Sequence, residues 1–111
     1  MHEMSITQGI IELCEKYAAG RCVLSVDVEI GELSNVVPDA IEFCFEACSR
    51  GTLLEGARIN IFRIPGRGKC LDCGSETPLT VLFGACQFCG GYQVTIIGGE
   101  EMRVREIEVD D

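Results

Sequence analysis

The sequence of 111 residues has no tryptophan, a single histidine, and only nine basic side chains against eighteen acidic ones. Its net charge of −9 opposes binding to nucleic acid or to an anionic membrane surface, so neither is expected as a partner. No apolar run approaches the ~18 residues that a membrane-spanning helix requires. The start of the chain shows no basic and apolar regions of a secretory signal peptide, which predicts a cytoplasmic protein.

Eight cysteines are the unusual feature of what the sequence does contain. In a small secreted protein they would indicate a disulfide framework, whereas in a reducing cytosol paired cysteines more often bind metal. The remaining composition, with 47% apolar and 24% charged residues, is ordinary for a globular protein. We therefore expect one compact unit with a small appended part.

Hydrophobic periodicity predicts both helices and strands in this chain. Apolar residues at a spacing of three to four predict a helix over residues 5–19 that begins with a capping box at Ser5. Alternating apolar and polar residues predict a strand over 22–30. Pro38 and Gly51 mark the ends of a second helix. Further strands are predicted over residues 57–65, 92–97 and 102–109.

The buried faces of the two predicted helices follow from the same spacing. The first helix is expected to bury Ile6, Ile10, Leu13 and Tyr17, and the second Ile41, Cys44, Phe45 and Cys48. Four cysteines, two of them on that second stripe, show no pairing pattern, and we interpret them as small buried apolar side chains. They are Cys14, Cys22, Cys44 and Cys48. Because Cys44 and Cys48 are four residues apart on one helix, a metal or redox role is the alternative.

The other four cysteines form two C-x-x-C-G motifs separated by twelve residues: Cys70-Leu-Asp-Cys73-Gly74 and Cys86-Gln-Phe-Cys89-Gly90. A gap of two residues lets both thiolates of one motif face the same ion, and the following glycine permits the left-handed backbone that closes the turn. Four thiolates leave no open position on a tetrahedral ion, which is typical of structural zinc. Rubredoxin-like iron and disulfides are the alternatives.

These motifs lie in a glycine-rich segment with too few apolar residues for a core of its own, so a metal staple is expected there. We predict a zinc-ribbon subdomain over residues 66–91 and an α+β domain formed by residues 1–65 and 92–111. The segment carries Arg67 and Lys69 against Asp72 and Glu76 and therefore lacks the basic surface of a ribbon that binds nucleic acid.

The amino terminus offers a second kind of metal site. A bulky second residue normally prevents removal of the initiator methionine, so we expect a free amine on Met1. This amine, the backbone nitrogen and imidazole Nδ1 of His2, and the amide of Glu3 can form fused chelate rings with four nitrogens in one plane. Such a donor set suits Ni(II) or Cu(II) rather than zinc. The alternative is a frayed terminus with a solvated histidine.

Three parts of the sequence together resemble the HypA family of nickel-incorporation proteins for hydrogenase maturation. They are the start Met1-His2-Glu3-Met4-Ser5, the segment Val28-Glu29-Ile30-Gly31-Glu32-Leu33, and the two cysteine motifs. The resemblance extends over the whole chain. Two features differ from many members: Gln87 stands where the second motif often has proline, and the histidines found beside the motifs in some relatives are missing.

The resemblance implies an α+β fold, with two helices on a small mixed β-sheet and the zinc ribbon inserted before the last strand. It implies that His2 binds nickel together with Met1 and the adjacent Glu3, and that Cys70, Cys73, Cys86 and Cys89 hold zinc. It also implies that Ni(II) is delivered to the hydrogenase large subunit together with the GTPase HypB. Some members also serve urease and its accessory proteins.

We therefore interpret the chain as a nickel metallochaperone and not as an enzyme. It shows no catalytic base beside a nucleophile and no phosphate-binding glycine loop with lysine. Two other interpretations remain. One is a zinc-ribbon adaptor that recruits proteins without transferring metal, and the other is an iron-bound electron carrier.

Overall fold

The computed structural model describes residues 2–110, and for His2 the backbone only. In this range the chain forms two helices, α1 (His2–Ala18) and α2 (Pro38–Ser49). The six strands are β1 (Val23–Gly31), β2 (Arg58–Ile64), β3 (Gly66–Cys70), β4 (Glu76–Leu79), β5 (Val94–Gly98) and β6 (Met102–Val109). Neither helix is long and apolar enough to cross a membrane.

The strands form two three-stranded sheets, one in the order β2-β1-β6 and the other in the order β4-β3-β5. The predicted α+β class, with two helices and small sheets, is confirmed, although the strands belong to two sheets rather than one. Both helices and four of the strands were predicted to within a few residues, whereas β3 and β4 were not predicted.

The chain divides into two compact units. The first contains the residues up to Glu29, residues 36–62 and the residues from Arg103 onward. The second contains residues 30–35 and 63–102. It includes the whole of 66–91, together with residues 92–102, which we had placed in the other domain. A separate subdomain bounded at 66 and 91 therefore stays a prediction.

In the first unit α1 packs against α2, and the predicted face is buried only in part, with Ile10 buried and Ile6 half-buried. Leu13 and Tyr17 are exposed, at 40% and 71% of their surface. The buried residues are Thr7, Ile10, Ile11, Cys14 and Ala18. The sequence of α1 carries two overlapping apolar stripes, and the stripe with the small residues is the one that is buried.

The helix also begins earlier than expected, at His2 rather than at Ser5. The hydroxyl of Thr7 donates a hydrogen bond to the carbonyl oxygen of Glu3 at 2.6 Å, which ties the first turn to the second. Ser5 is exposed and lies inside the helix, so it is not the N-cap residue that the capping-box pattern predicted.

The apolar centre of β1 is fully buried, as its alternation predicted, at Val26, Val28 and Ile30. The alternation breaks at the start of the strand, where Leu24 is exposed and Ser25 is buried. The stripe of α2 is also confirmed, because Ile41 and Phe45 are buried and Cys44 and Cys48 are half-buried. Of the remaining cysteines, Cys14 is buried, but Cys22 is exposed and does not fit the interpretation as a buried apolar side chain.

The second unit contains the antiparallel sheet on which the cysteine motifs are mounted. Strand β3 pairs with β4, aligning Lys69 with Glu76, and on its other side with β5, aligning Cys70 with Val94. Glycine is required in β3 because a Cβ on Gly68 would lie 2.3 Å from a methyl carbon of Val94. This close packing explains why a strand with the sequence Gly-Arg-Gly-Lys-Cys carries so little β signal.

Candidate metal centre

The two C-x-x-C-G motifs bring their four sulfur atoms together. The Sγ atoms of Cys70, Cys73, Cys86 and Cys89 all lie within 4.8 Å of one another. Cys70 ends strand β3, so the first motif starts from the central strand of its sheet. The second motif lies in the connection between β4 and β5. The grouping that the motif spacing predicted is therefore present.

Each motif is closed by the same backbone hydrogen bonds. The amide of Gly74 donates to the carbonyl of Cys70 at 2.9 Å, and the amide of Gly90 donates to the carbonyl of Cys86 at 2.9 Å. Both glycines have positive φ angles, +79° and +76°, a conformation that other residues adopt only at a cost. The role inferred for the glycine after each motif is thus seen in both copies.

Backbone amides also point at the sulfur atoms. The amide of Cys73 donates to Cys70 Sγ at 3.5 Å, and the amide of Phe88 donates to Cys86 Sγ at 3.4 Å. Such bonds stabilise negative charge on sulfur, the form in which cysteine binds metal. The backbone of each motif therefore prepares its first cysteine as a ligand.

The distances between sulfurs distinguish a metal site from disulfides. Cys70 and Cys89 are separated by 3.6 Å between Sγ atoms, and Cys73 and Cys86 by 3.7 Å. A tetrahedral zinc ion with Zn–S bonds of about 2.3 Å would hold its sulfurs ~3.8 Å apart. A disulfide would require about 2.05 Å. All eight cysteines are free thiols, and the four in this cluster have the separations of metal ligands.

The protonation of the cluster is uneven. Hydrogen bonds from the backbone and then the side chain of Ser75 lower the pKa of Cys73 to about 6. The backbone amides of Cys89 and Phe88 lower the pKa of Cys86. The Gly91 amide acts to lower the pKa of Cys89, but the adjacent sulfur of Cys70 and desolvation outweigh it and raise that pKa to about 12. Four adjacent thiolates repel one another, so full ionisation requires a cation among them.

The cluster is half inside the protein. Cys70 and Cys86 are buried, with 0% and 2% of their surface exposed, whereas Cys73 and Cys89 are on the outside. One motif also contacts the sheet, because the buried hydroxyl of Thr77 on β4 accepts a hydrogen bond from the amide of Gln87 at 3.0 Å. Ser75 and Thr77 belong to no sequence motif, so their contacts with the cysteine motifs could not be predicted from the sequence.

The chemistry of these donors fits a closed structural site. Four sulfur ligands fill a tetrahedral coordination sphere, which leaves no position for water or substrate. Within residues 2–110, no other group of three or more histidine, cysteine, aspartate or glutamate side chains comes close enough to share an ion. The cluster is therefore the one preformed metal centre of this kind in the described part of the chain.

The predicted nickel ligands lie at the edge of what the structure describes. Met1 lies outside the described residues, as does the side chain of His2, whose backbone begins α1. Glu3 is described, and hydrogen bonds from its own backbone amide and, more weakly, from that of Val37 lower the pKa of its carboxyl group. Val37 is the N-cap of α2. The structure therefore places Glu3 beside the start of the second helix, a contact that the sequence did not predict.

The start of α1 is held to α2 by a second contact. Cys48 Sγ lies 3.1 Å from Met4 Sδ, which joins the first turn of α1 to the last turn of α2. Thr7 holds the carbonyl of Glu3 from the same helix. The residues that directly follow His2 are therefore fixed by side-chain contacts within the first unit.

Comparison with known proteins identifies relatives over almost the whole chain. Residues 1–109 match the family described as hydrogenase/urease nickel incorporation, metallochaperone, hypA. The hydrogenase maturation factor HypA of Geobacter metallireducens is 62% identical over 110 residues, covering 99% of this chain and 100% of the relative. The protein of the same name from Geobacter sulfurreducens is 58% identical with the same coverage.

Solved structures agree with the sequence relatives. The solution structure of the Ni metallochaperone HypA from Helicobacter pylori matches with a TM-score of 0.66 and 28% identity, over 96% of each chain. A second solution structure, of a HypA protein, matches with a TM-score of 0.69 and 30% identity, over 98% of this chain and 96% of the other. The fold and the sequence therefore lead to the same set of proteins.

Proposed function

The chain belongs to the HypA family of nickel-incorporation metallochaperones, and we propose that it holds two metals at two separate places. Its role is that of a hydrogenase maturation factor. In our proposal the resident metal is zinc, held by Cys70, Cys73, Cys86 and Cys89. The transported metal is Ni(II), bound by Met1, His2 and Glu3. The four-sulfur cluster carries the first half of this proposal, and the chelating sequence at the amino terminus carries the second.

Zinc is the metal that best fits the cluster. Its preferred tetrahedral geometry and its Zn–S bond length agree with the sulfur separations of 3.6 and 3.7 Å. Since all four donors are sulfur, a bound zinc ion would be coordinatively saturated and would serve to hold the second unit together. Iron in a rubredoxin-like site is distinguished by its colour, and metal analysis of the purified protein separates the two.

The donor atoms at the amino terminus suit Ni(II) better than those of the sulfur cluster do. Square-planar Ni(II) takes nitrogen donors, and an amine, an imidazole and two backbone nitrogens provide them in sequence. A helix that begins at His2 leaves its first backbone N–H groups without intrahelical acceptors. These N–H groups therefore lie outside the intrahelical hydrogen bonds of α1, and that of Glu3 donates to its own carboxyl group.

The contacts of Glu3 and Met4 support a site in which the residues that follow His2 are held against α2. Both residues are tied to α2, through the Val37 amide and the Cys48 sulfur respectively. The chelating atoms precede these anchors in the chain. Such a site can present a bound ion to an acceptor. A metallochaperone has to transfer its ion in this way, whereas a structural centre has to retain it.

We propose that the partners are other proteins of the maturation machinery: the GTPase HypB, the hydrogenase large subunit and, where urease is also a client, urease accessory proteins. The net charge of −9 supports protein partners over nucleic acid. We further propose that the protein works in the cytoplasm and is not an enzyme. The saturated sulfur site supports this, since it offers no open coordination position for catalysis.

The test is a nickel titration of the untagged zinc-loaded protein and of the His2→Ala variant. His2 is the only histidine in the chain, so this variant has no imidazole and specific nickel binding should be lost. Zinc content and helical circular dichroism should not change. Stoichiometric, undiminished nickel binding by His2→Ala would contradict the proposed site and favour a zinc-ribbon adaptor.

The matched variant is Cys73→Ala, which removes a zinc ligand and leaves the amino terminus intact. This variant should lose zinc and still bind one nickel ion, and its nickel binding should depend on His2 as it does in the wild type. If nickel binding disappeared with zinc while His2→Ala retained it, nickel would be bound by the sulfur cluster instead. The two variants together therefore assign each metal to its ligands.

A further inference from the structure

Two residues at the end of the proposed nickel-binding sequence are held by side chains that belong to neither metal site. Thr7 on α1 donates a hydrogen bond from its hydroxyl group to the Glu3 carbonyl oxygen at 2.6 Å. Cys48 on α2 lies with its Sγ atom 3.1 Å from Met4 Sδ. The contacts come from two different helices and involve consecutive residues, so they fix the same turn of α1 from two directions.

Thr7 is a polar residue at a position with no exposed surface, on the same buried stripe as Ile11 and Cys14. A buried hydroxyl group is unfavourable unless it is hydrogen-bonded, and the acceptor here is the Glu3 carbonyl oxygen, one turn earlier in the helix. An alanine or valine side chain would pack at such a position without burying a polar group. The hydroxyl group is therefore explained by its bond to Glu3 and not by the apolar core.

This hydrogen bond is not needed to form the helix. In an α-helix the carbonyl oxygen of Glu3 already accepts from the backbone amide of Thr7, four residues later. A further bond from a threonine hydroxyl to the same carbonyl slightly destabilises a helix and often bends it. What the bond fixes is the orientation of the peptide unit between Glu3 and Met4. That peptide unit directly follows the Glu3 amide, the last nitrogen of the proposed chelate.

Met4 belongs to the same peptide unit, and its side chain is held from α2. Met4 is 42% exposed and Cys48 is half-buried, so their contact is open to solvent. Thiol and thioether groups form weak hydrogen bonds, and the contact therefore contributes little to the stability of the fold. Its consequence is instead that the first turn of α1 is fixed in position against α2.

We propose that Thr7 and Cys48 are positioning residues of the nickel site, which act through Glu3 and Met4 to restrict the amino terminus before nickel binds. The ends of helices fray, and their first N–H groups have no intrahelical acceptors. Ordering a mobile residue around an ion costs conformational entropy, and a chain already held in the binding conformation loses less. The inference rests on the proposed function for the location of the nickel ligands.

The test is a competition titration of nickel into the untagged zinc-loaded protein and its Thr7→Val and Cys48→Ala variants. Valine keeps the branched shape of threonine and removes only the hydroxyl group, so the packing at this position is retained. Each variant should bind nickel about fivefold more weakly, which corresponds to part of the conformational entropy of one residue.

A second variant at the same position separates positioning from a structural role. Thr7→Ser keeps the hydroxyl group but loses a buried methyl group, so it should bind nickel as the wild type does and unfold at a lower urea concentration. Thr7→Val should show the opposite pattern, with weaker nickel binding and no loss of stability. The urea midpoint of the helical circular dichroism measures the stability of both variants.

Cys22→Ala is the matched control for Cys48→Ala, since Cys22 is an exposed free thiol outside both helices. It should bind nickel as the wild type does. Unchanged nickel affinity in Thr7→Val or Cys48→Ala would overturn the role of that residue, and nickel affinity that follows stability across the two Thr7 variants would overturn the proposal. Failure of the proposed function is distinguishable, because it would appear as undiminished nickel binding by His2→Ala.

Discussion

In the second unit, the backbone around each metal motif fixes the sulfur ligands, whereas at the amino terminus the proposed nickel ligands are mainly nitrogens of the chain itself. The two cysteine motifs repeat the same closing hydrogen bonds and the same left-handed glycines. At the other site, the described anchoring contacts begin at Glu3, since Met1 and the side chain of His2 lie outside the described residues. One site is built by the fold, and the other is built by the order of residues along the chain.

The sulfur cluster is suited to retaining a metal ion, and the proposed amino-terminal site is suited to transferring one. Four sulfurs in a closed sphere make exchange slow and leave no position for an incoming ligand. An amine and an imidazole lose a bound ion more readily, because protons compete for both near neutral pH. A protein that retains zinc while it transfers nickel needs both kinds of site, and the following predictions test how independent they are.

The largest effect is expected from loss of zinc. Cys73→Ala should leave three thiolates, and structural zinc in small sites contributes on the order of 10 kcal/mol to folding. The amides of residues 66–91 should then exchange rapidly with solvent, while those of α1 and β1 remain protected by their own apolar core. Metal analysis and hydrogen exchange measure both outcomes.

Cys22→Ala is the control for this variant, since Cys22 is an exposed free thiol in the first unit. It should change neither zinc content nor exchange. If Cys73→Ala kept one tightly bound zinc with its ribbon amides still protected, the assignment of the four ligands would be wrong.

A smaller effect should come from the apolar core of the first unit, where no metal contributes. Ile41 on α2 has no exposed surface, and truncating such a side chain typically costs 2–5 kcal/mol. Ile41→Ala should therefore lower the urea midpoint of the helical signal by a corresponding amount and leave the zinc stoichiometry unchanged. Loss of zinc from this variant would show that the two units do not keep their stability separately.

The smallest effect concerns Phe83, whose backbone has a positive φ angle of +62°. Phe83→Gly should stabilise the zinc-loaded protein by about 0.5–1 kcal/mol, because glycine adopts the left-handed conformation without a steric cost. Thermal unfolding of the zinc-loaded protein measures the change. Phe83→Ala retains the left-handed strain and serves as the control, and a glycine variant less stable than the alanine variant would contradict the account.

Much of the fold could be predicted from the sequence where one pattern dominated. The centre of β1 and the stripe of α2 were predicted correctly because each has one apolar face, whereas the alternation failed at the exposed Leu24 and the buried Ser25. In α1 the apolar residues form two overlapping stripes, and only packing against α2 decides that Cys14 is buried while Tyr17 is exposed. Strand β3 could not be predicted, because its glycines reflect close contacts with distant residues, and β4 could not because it has only four residues, one of them proline.

The two candidate sites also differ in how far they could be predicted from the sequence. Motif spacing was sufficient for the four cysteines, since a short motif closes on itself and needs little from the rest of the chain. It could not show that Ser75 lowers the pKa of Cys73, or that Thr77 holds the second motif to β4. At the amino terminus the sequence supplies the chelating order, and the contact of Glu3 with the start of α2 became apparent only in the folded chain.

The central claim, that nickel is bound by the amino terminus and separately from zinc, is tested most directly by adding one residue before Met1. This extension changes no side chain, but it removes the free amine from the position next to His2 and so breaks the fused chelate rings. Competition titration should then show nickel affinity reduced nearly as much as in His2→Ala, with zinc content unchanged. Undiminished nickel binding by the extended protein would contradict the claim and place the nickel site elsewhere in the chain.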